Sequence, residues 1–583
     1  MLKDISLRIY AQSGQRRRVQ FFWLIGLMVV NSFAEIISIG SAVPFLVALI
    51  RPDSLQSLSV ILGINNLSYI SDPASLQILL AIVFVATICF AIFVRVGTLA
   101  AITKFSFALG ADLAEKIFLN QLNKTYEDTL NTHSSEVVIA VTTKTQILIG
   151  DGVLACLNLI NSALILAMFG AVFVVSAPGV SIPIFGILLA LYLVIAKISH
   201  MNLIRNDTTI AQELVEINKT LNESLKARRD IILEDSQQFY VSRFTTSNLA
   251  YREAQAMNQV ITQAPRYIVE SAGILLIVIF GFLYAEAKGD FAIVIPFMGA
   301  VALAAQRTLP ILQLYYSSYT RFKASFKSIG DALLMLESHM EPRFDEGEVL
   351  SIRDRIDIDD LVYRYPGQAT ASIKKAKFTL KKGDFVGVIG SNGSGKSTLA
   401  DLMMGLLPPT EGQLSVDGVV LNKNNISSWR RNIAHIPQET YVFDATISEN
   451  IVLHRERDRQ KLSETIALVG LEEFVSTVQG GIEYKIGENG INLSGGQKQR
   501  LIIARGLYRL IQKNANGALL VLDEATSAID SVSAVQIIRN IKLRFQAMTC
   551  IAITHDTSLL NFCNKILTLN SGRVELKCND SQF

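Results

Sequence analysis

The stretch Gly390-Ser391-Asn392-Gly393-Ser394-Gly395-Lys396-Ser397-Thr398 holds the residue types and spacing in this chain that point most directly to chemistry. Its glycines let the backbone curl with several N–H groups facing inward, which cradles phosphate oxygens at the positive end of a following helix. Lys396 would then reach the outer phosphates of a nucleotide, and Ser397 would ligate Mg²⁺. Such a loop must hang between a strand and a helix. Phe385-Val386-Gly387-Val388-Ile389 reads as a buried strand before it, and Leu399-Ala400-Asp401-Leu402-Met403-Met404 as a helix after it. Further along, the apolar run Ala518 to Leu522 ends in Asp523-Glu524. One acid at such a strand end can hold Mg²⁺ through water while its neighbour orients or deprotonates the attacking water. Alone, a strand ending in two carboxylates is an ordinary solvated terminus; downstream of a phosphate loop it is the expected partner.

The elements that position these residues occupy only the last part of the chain. Of 583 residues, 50% are apolar and 18% charged, and the mean hydropathy of +0.36 is too high for an ordinary soluble protein. A net charge of +3 gives no field that argues for a nucleic-acid partner. The five cysteines form no C-x-x-C pair, so neither a zinc site nor a disulfide framework is indicated. Long apolar runs predict six membrane spans, near residues 19–50, 74–97, 147–176, 182–200, 261–285 and 291–310. Ala177-Pro178-Gly179 and Pro183 are expected to break the helix between the third and fourth spans, and residues 286–290 to form the turn between the last two. Arg8, Arg16, Arg17 and Arg18 precede the first span, and most other basic residues of this region fall in the connections 101–145 and 197–260. Basic loops stay on the cytoplasmic side, so the N-terminus and both long connections are expected inside. Both connections carry apolar residues at helical spacing and should extend the spans into the cytoplasm, with polar tips at 125–135 and 223–236 able to dock on a soluble domain. The expected division is a membrane domain over residues 1–340 and a cytoplasmic domain over 345–583.

Within this second region the order of motifs is specific: Tyr365, the phosphate loop, Gln438, Leu493-Ser494-Gly495-Gly496-Gln497, Asp523-Glu524, Ser527-Ala528-Ile529-Asp530 and His555. The series resembles the nucleotide-binding domain of an ATP-binding cassette (ABC) protein, and six spans followed by one cassette resembles an ABC exporter half-transporter. The resemblance implies a membrane α-helical bundle of six transmembrane helices fused to a cytoplasmic α/β P-loop NTPase domain, with ATP and Mg²⁺ as ligands. It assigns adenine stacking to Tyr365, with Tyr363 as the local rival. Mg²⁺ contacts fall to Ser397, Gln438 and, through water, Asp523; catalysis falls to Glu524, Gln438 and His555. In that family each ATP lies between the phosphate loop of one cassette and the signature residues of another, here Ser494, Gly495, Gly496 and Gln497, with Asp530 in the loop linking the two sites. A homodimer is the simplest assembly and a heterodimer the alternative.

Among the ionisable residues of the spans, Glu35, Arg95, Arg266, Glu270 and Arg307 are the candidates for lining a substrate cavity. Charges in lipid are costly, so each should face protein or a water-filled cavity. Near the inner ends the arginines could instead snorkel to the headgroups, and Arg266 and Glu270, at i and i+4, could simply pair. Phe33-Ala34-Glu35, Ala264-Pro265-Arg266 and Arg307-Thr308-Leu309-Pro310 resemble the corresponding stretches of the bacterial lipid-linked oligosaccharide flippase family. That resemblance, to which the outer segment 53–71 adds room for a short external helix, implies an anionic glycolipid substrate in the bacterial inner membrane, read by cavity arginines. Export of other lipids, drugs or hydrophobic peptides is the alternative.

Overall fold

In the computed structural model, residues 2–42, 44–45, 73–130, 134–176, 178–288, 291–337, 349–438, 441–513 and 516–579 are described. The end of the first expected span and the outer segment 53–71 lie outside them. The chain divides into two compact units, Met1–Lys124 with Asn131–Met340, and Thr125–Leu130 with Glu341–Phe583.

The first unit is helical. After α1 (Leu2–Gln12) come α2 (Gln15–Gly40), α3 (Pro73–Leu122) and the short α4 (Tyr126–Leu130), which belongs to the other unit. The chain re-enters through π-helical turns at Ala140–Lys144 and Leu148–Leu154 into α5 (Ala155–Ser176). There follow α6 (Pro178–Lys226), α7 (Arg228–Leu233), α8 (Gln237–Lys288), α9 (Phe291–Ala324) and α10 (Phe326–Glu337). Among the described residues, three helical stretches are long and apolar enough to cross a membrane: Gln15–Gly40, Gln77–Leu122 and Val137–Val172, with mean hydropathies of 1.9, 2.8 and 2.0. The last three expected stretches lie within α6, α8 and α9. At 1.5 Å per residue, the 50 residues of α3 extend well past a hydrocarbon core of about 30 Å. This continuity accounts for the helical periodicity of the inner connections. Pro183 does not break the helix as expected, because α6 runs through it. The amide it lacks would have paired with the Gly179 carbonyl, so the helix continues with one backbone bond missing near its start.

Packing concentrates where α1, α3 and α10 meet: Ile5, Leu113, Ile117, Ile329 and Leu333 are all buried in one cluster with Leu24 and Met28 of α2. Gly110 of α3 allows the π-helical segment to approach, since a Cβ there would lie 2.2 Å from the Ile149 side chain. Arg17 grips Asp112 through two hydrogen bonds of 2.7 and 3.1 Å, and this guanidinium holds the Asp112 carboxyl below its usual range. Asp207 of α6 accepts the Lys327 backbone N–H at 3.0 Å and so caps α10 from a distance.

The second unit has two sheets. β1 (Arg355–Tyr363), β2 (Ile373–Lys381), β4 (Glu411–Val416) and β5 (Val419–Val420) form an antiparallel sheet in the order β2-β1-β4-β5. The other contains β3 (Phe385–Gly390), β6 (Ile433–Ile436), β7 (Leu519–Asp523), β8 (Thr549–Ile553), β9 (Lys565–Asn570) and β10 (Arg573–Cys578), in the order β10-β9-β3-β8-β7-β6. β3 pairs in parallel with β8 and β9, and β7 with β6 and β8. Strands buried on both faces of a parallel sheet read as continuous apolar runs, which is why β3 and β7 were legible. Three helices frame the site: α11 (Lys396–Met403), α12 (Gly495–Gln512) and α13 (Ser531–Arg544). The parallel arrangement brings the carboxyl ends of β3 and β7, on either side of β8, to one edge, where ligands of open α/β sheets bind.

Candidate functional site

The loop after β3 is shaped by backbone that only glycine tolerates. Gly395 has φ +105°, and a Cβ there would lie 2.8 Å from the Ser372 carbonyl oxygen. At Gly390 a Cβ would meet the Leu569 carbonyl oxygen at 2.5 Å. Lys396 opens α11 and is 8% exposed, its Nζ donating to the carbonyls of Gly390 (2.8 Å) and Ser391 (3.2 Å). Ser394 Oγ is buried with no hydrogen-bond partner in the described structure. An orphaned hydroxyl, a buried ammonium and a helix start in one concave loop fit a bound phosphate chain. Ser391, Asn392, Gly393, Ser397 and Thr398 complete the loop and the first turn of α11.

At the end of β7, Glu524 adopts φ +47°, and its amide is held by the Ile553 carbonyl at 3.0 Å. Its Oε2 accepts from Gln438 Nε2 at 2.6 Å, and its Oε1 lies 3.5 Å from His555 Nε2. Two residues drawn from the ends of β6 and β8 thus converge on the carboxylate at the end of β7. Burial and the charge of Glu524 push the Asp523 carboxyl up, against the opposing pull of Lys396. Asp401 of α11 is pushed up to about 6 by burial and by Asp523. The loop bearing Glu524 is pinned by a residue that sequence reading missed: Gln499 of α12, 2% exposed, donates to the Glu524 carbonyl (3.3 Å) and Ser527 Oγ (3.2 Å) and accepts from the Ala528 amide (2.7 Å). The available signal was a polar side chain on the face of α12 that also carries Ile502 and Ile503.

Tyr365 Oη shares a 3.1 Å hydrogen bond with Thr398 Oγ1, which places the ring beside the phosphate loop. Tyr363 is 1% exposed. A buried ring offers no face to a base, so Tyr365 is the aromatic available for stacking. Ser494 caps α12 reciprocally with Gln497, through Gln497 N to Ser494 Oγ at 3.2 Å and Ser494 N to Gln497 Oε1 at 2.9 Å. With Gly496, Arg500 and Asp530 these residues line a cavity of about 500 Å³ that takes in no residue of the phosphate loop. Gly495 begins the same helix. Asp530 caps α13, accepting the Ser533 amide at 2.9 Å, and that bond holds its carboxyl low.

In the helical unit, Glu35 is 2% exposed, with Arg95 at 3.5 Å and Arg307 at 3.8 Å. The structure therefore gathers three of the five candidate charges from α2, α3 and α9 into one cluster. Arg266 and Glu270 pair with each other along α8 at 3.8 Å, both largely exposed. Among the described residues no ion pair joins them to Glu35.

Fold and site together define a P-loop nucleotide-binding cassette joined in one chain to a helical membrane unit. Residues 373–527 match the ABC transporter family. A solved bacterial Atm1-family ABC exporter with ATP bound superposes with a TM-score of 0.77 over 97% of this chain and 95% of its own, at 19% identity. Among curated proteins, the chain is similar to the ATP-dependent lipid A-core flippases of Bordetella avium (30% identical, covering 62% of this chain and 60% of the relative) and Aromatoleum aromaticum (33% identical, covering 50% and 48%). The chain spans about three-fifths of the length of the first of these relatives and about half of the second.

Proposed function

We propose that this protein is an ATP-driven transporter of the bacterial cytoplasmic membrane that flips or exports an anionic glycolipid, of the lipid-linked oligosaccharide or polysaccharide-precursor kind. The observation that carries the ATPase part is the convergence of Gln438 and His555 on Glu524, at 2.6 and 3.5 Å. Glu524 would take the proton of the attacking water, with Oε1 toward His555 and Oε2 held by Gln438. Lys396 and the loop amides would bind the β- and γ-phosphates, and Tyr365 the adenine. Mg²⁺ would be held by Ser397, Gln438 and, through water, Asp523, oxygen donors that suit a hard cation, and it would neutralise charge developing on the phosphates. A second copy of the chain would bring Ser494, Gly495, Gly496 and Gln497 to the ATP, so hydrolysis needs a dimer.

For the substrate, two arginines on one buried glutamate leave the Glu35 cluster with a net positive charge inside an apolar unit. An anionic headgroup is the chemistry that balances it. The relatives named as lipid A-core flippases support a glycolipid. The test is ATPase activity in liposomes, with and without a polyprenyl-pyrophosphate oligosaccharide. Glu524→Gln should keep ATP binding and lose turnover, and Lys396→Ala should weaken both; parental hydrolysis in either variant would refute the site. Stimulation by the glycolipid that disappears in Arg307→Ala supports the substrate class. Stimulation indifferent to that change would favour export of other lipids, drugs or peptides.

A further inference from the structure

The cassette unit contains six residues, Thr125–Leu130, whose chain neighbours on both sides belong to the helical unit. They form α4, and one of them is bonded into the aromatic pair beside the phosphate loop. Tyr363 Oη donates to Glu127 Oε1 at 3.1 Å. The Tyr363 ring is 1% exposed and meets the Tyr365 ring edge-on, with centroids 5.0 Å apart and planes at 85°. Tyr365 in turn reaches Thr398 of α11. A continuous path of four side chains therefore runs from Glu127 to the helix that begins at the phosphate loop.

We propose that Glu127 is a positioning residue for the adenine end of the nucleotide site: its carboxylate holds the Tyr363 hydroxyl, and Tyr363 fixes the angle at which Tyr365 presents its ring. This rests on the reading that Tyr365 stacks on adenine. A buried tyrosine hydroxyl needs a partner, and with its partner removed the ring turns to find another. Tyr365 is held edge-on by that ring, so its orientation follows. Edge-to-face packing specifies an angle in a way that aliphatic packing does not. Burial, and with it the charges of Asp401 and Asp523, pushes the phenol of the neighbouring Tyr126 up.

The experiment measures KM for ATP and kcat on the full chain in liposomes for Glu127→Ala, Glu127→Gln, Tyr363→Phe and the Glu127→Ala/Tyr363→Phe pair, with Tyr365→Ala as reference and thermal unfolding of each. Glu127→Ala and Tyr363→Phe should each raise KM by roughly three- to tenfold with kcat within about twofold of the parent, the effect of losing one hydrogen bond that acts indirectly. Glu127→Gln, which keeps an acceptor oxygen, should stay within about twofold. The pair should be no worse than either single change, because both remove the same bond. Parental KM in Glu127→Ala alongside a weakened Tyr365→Ala would overturn this inference alone, as would a lowered melting temperature with KM unchanged. Parental KM in Tyr365→Ala would overturn the stacking itself and this inference with it.

Discussion

Replacing Glu35 by glutamine should destabilise the helical unit far more than its position near the end of one helix suggests. The side chain is 2% exposed and faces two guanidinium groups at 3.5 and 3.8 Å, from helices distant in sequence. At an effective dielectric constant near 20, each pair is worth about 4–5 kcal/mol of Coulomb attraction before desolvation. The arginines are 50% and 32% exposed, so solvent already screens part of that attraction. Breaking a fully buried pair from one side costs about 3–5 kcal/mol, and the discount for exposure brings the expected loss to about 2–4 kcal/mol. Glutamine fills the same volume, so the loss is electrostatic: two arginines face each other with no carboxylate between them. At about 2–4 °C per kcal/mol, the slope of domains of roughly 150–250 residues, the melting temperature in detergent should fall by about 4–16 °C. Glu270→Gln is the internal control, since its pair with Arg266 at 3.8 Å is largely exposed and worth about 0–1 kcal/mol. Adding Arg307→Gln to Glu35→Gln should restore part of the loss by removing one unbalanced charge. A Glu35→Gln protein that melts with the parent, or a Glu270→Gln protein that loses as much, would refute this account of the cluster.

Other outcomes follow from the cassette. Gly395→Ala forces a side chain into φ +105° and to 2.8 Å from the Ser372 carbonyl, which should cost about 2–4 kcal/mol; Gly393→Ala, at φ +75° with nothing within 4 Å of the new Cβ, should cost only about 1–2 kcal/mol. Melting temperatures of the two variants, with ATP binding as a second readout, check this ordering. The Asp401 carboxyl, held near 6 against an ordinary 3.8, opposes folding above that range. The cost is absent below pH 3.8 and complete above about pH 6, at about 3 kcal/mol by linkage. Asp401→Asn should therefore raise the melting temperature at pH 8 by more than at pH 5; an equal gain at both would show that its ionisation is not the cause. Gln499→Ala should lower kcat by roughly tenfold or more with little change in ATP affinity, because it frees the loop that carries Glu524 without touching the phosphate loop; single-turnover hydrolysis measures this.

The cassette motifs were readable from sequence because their chemistry is local. Glycine at a positive φ, a lysine one residue later, an apolar strand before the loop and a helix after it are properties of contiguous residues, and they leave a pattern whatever the rest of the chain does. The same holds for the long apolar runs, since the need to match a membrane's thickness acts on each helix alone. What sequence left open were questions of direction. Tyr363 and Tyr365 stand two apart on an extended segment, and only packing shows that one is buried and the other lies beside Thr398. Arg95, Arg266 and Arg307 looked alike as charges in apolar surroundings, yet Arg95 and Arg307 share Glu35, whereas Arg266 pairs along its own helix as i,i+4 spacing allowed. Glu127, in a polar stretch readable only as a possible docking tip, and Gln499, on an otherwise apolar stripe, gain meaning from partners more than twenty residues away in the chain. Sequence by itself determined which chemistry this protein carries and the order of its parts, because loop conformation and hydrophobic length are set by neighbours along the chain. Only the tertiary structure decided which charges neutralise each other and which side chains hold the reacting ones in place, because those distances depend on how helices and strands far apart in sequence pack together.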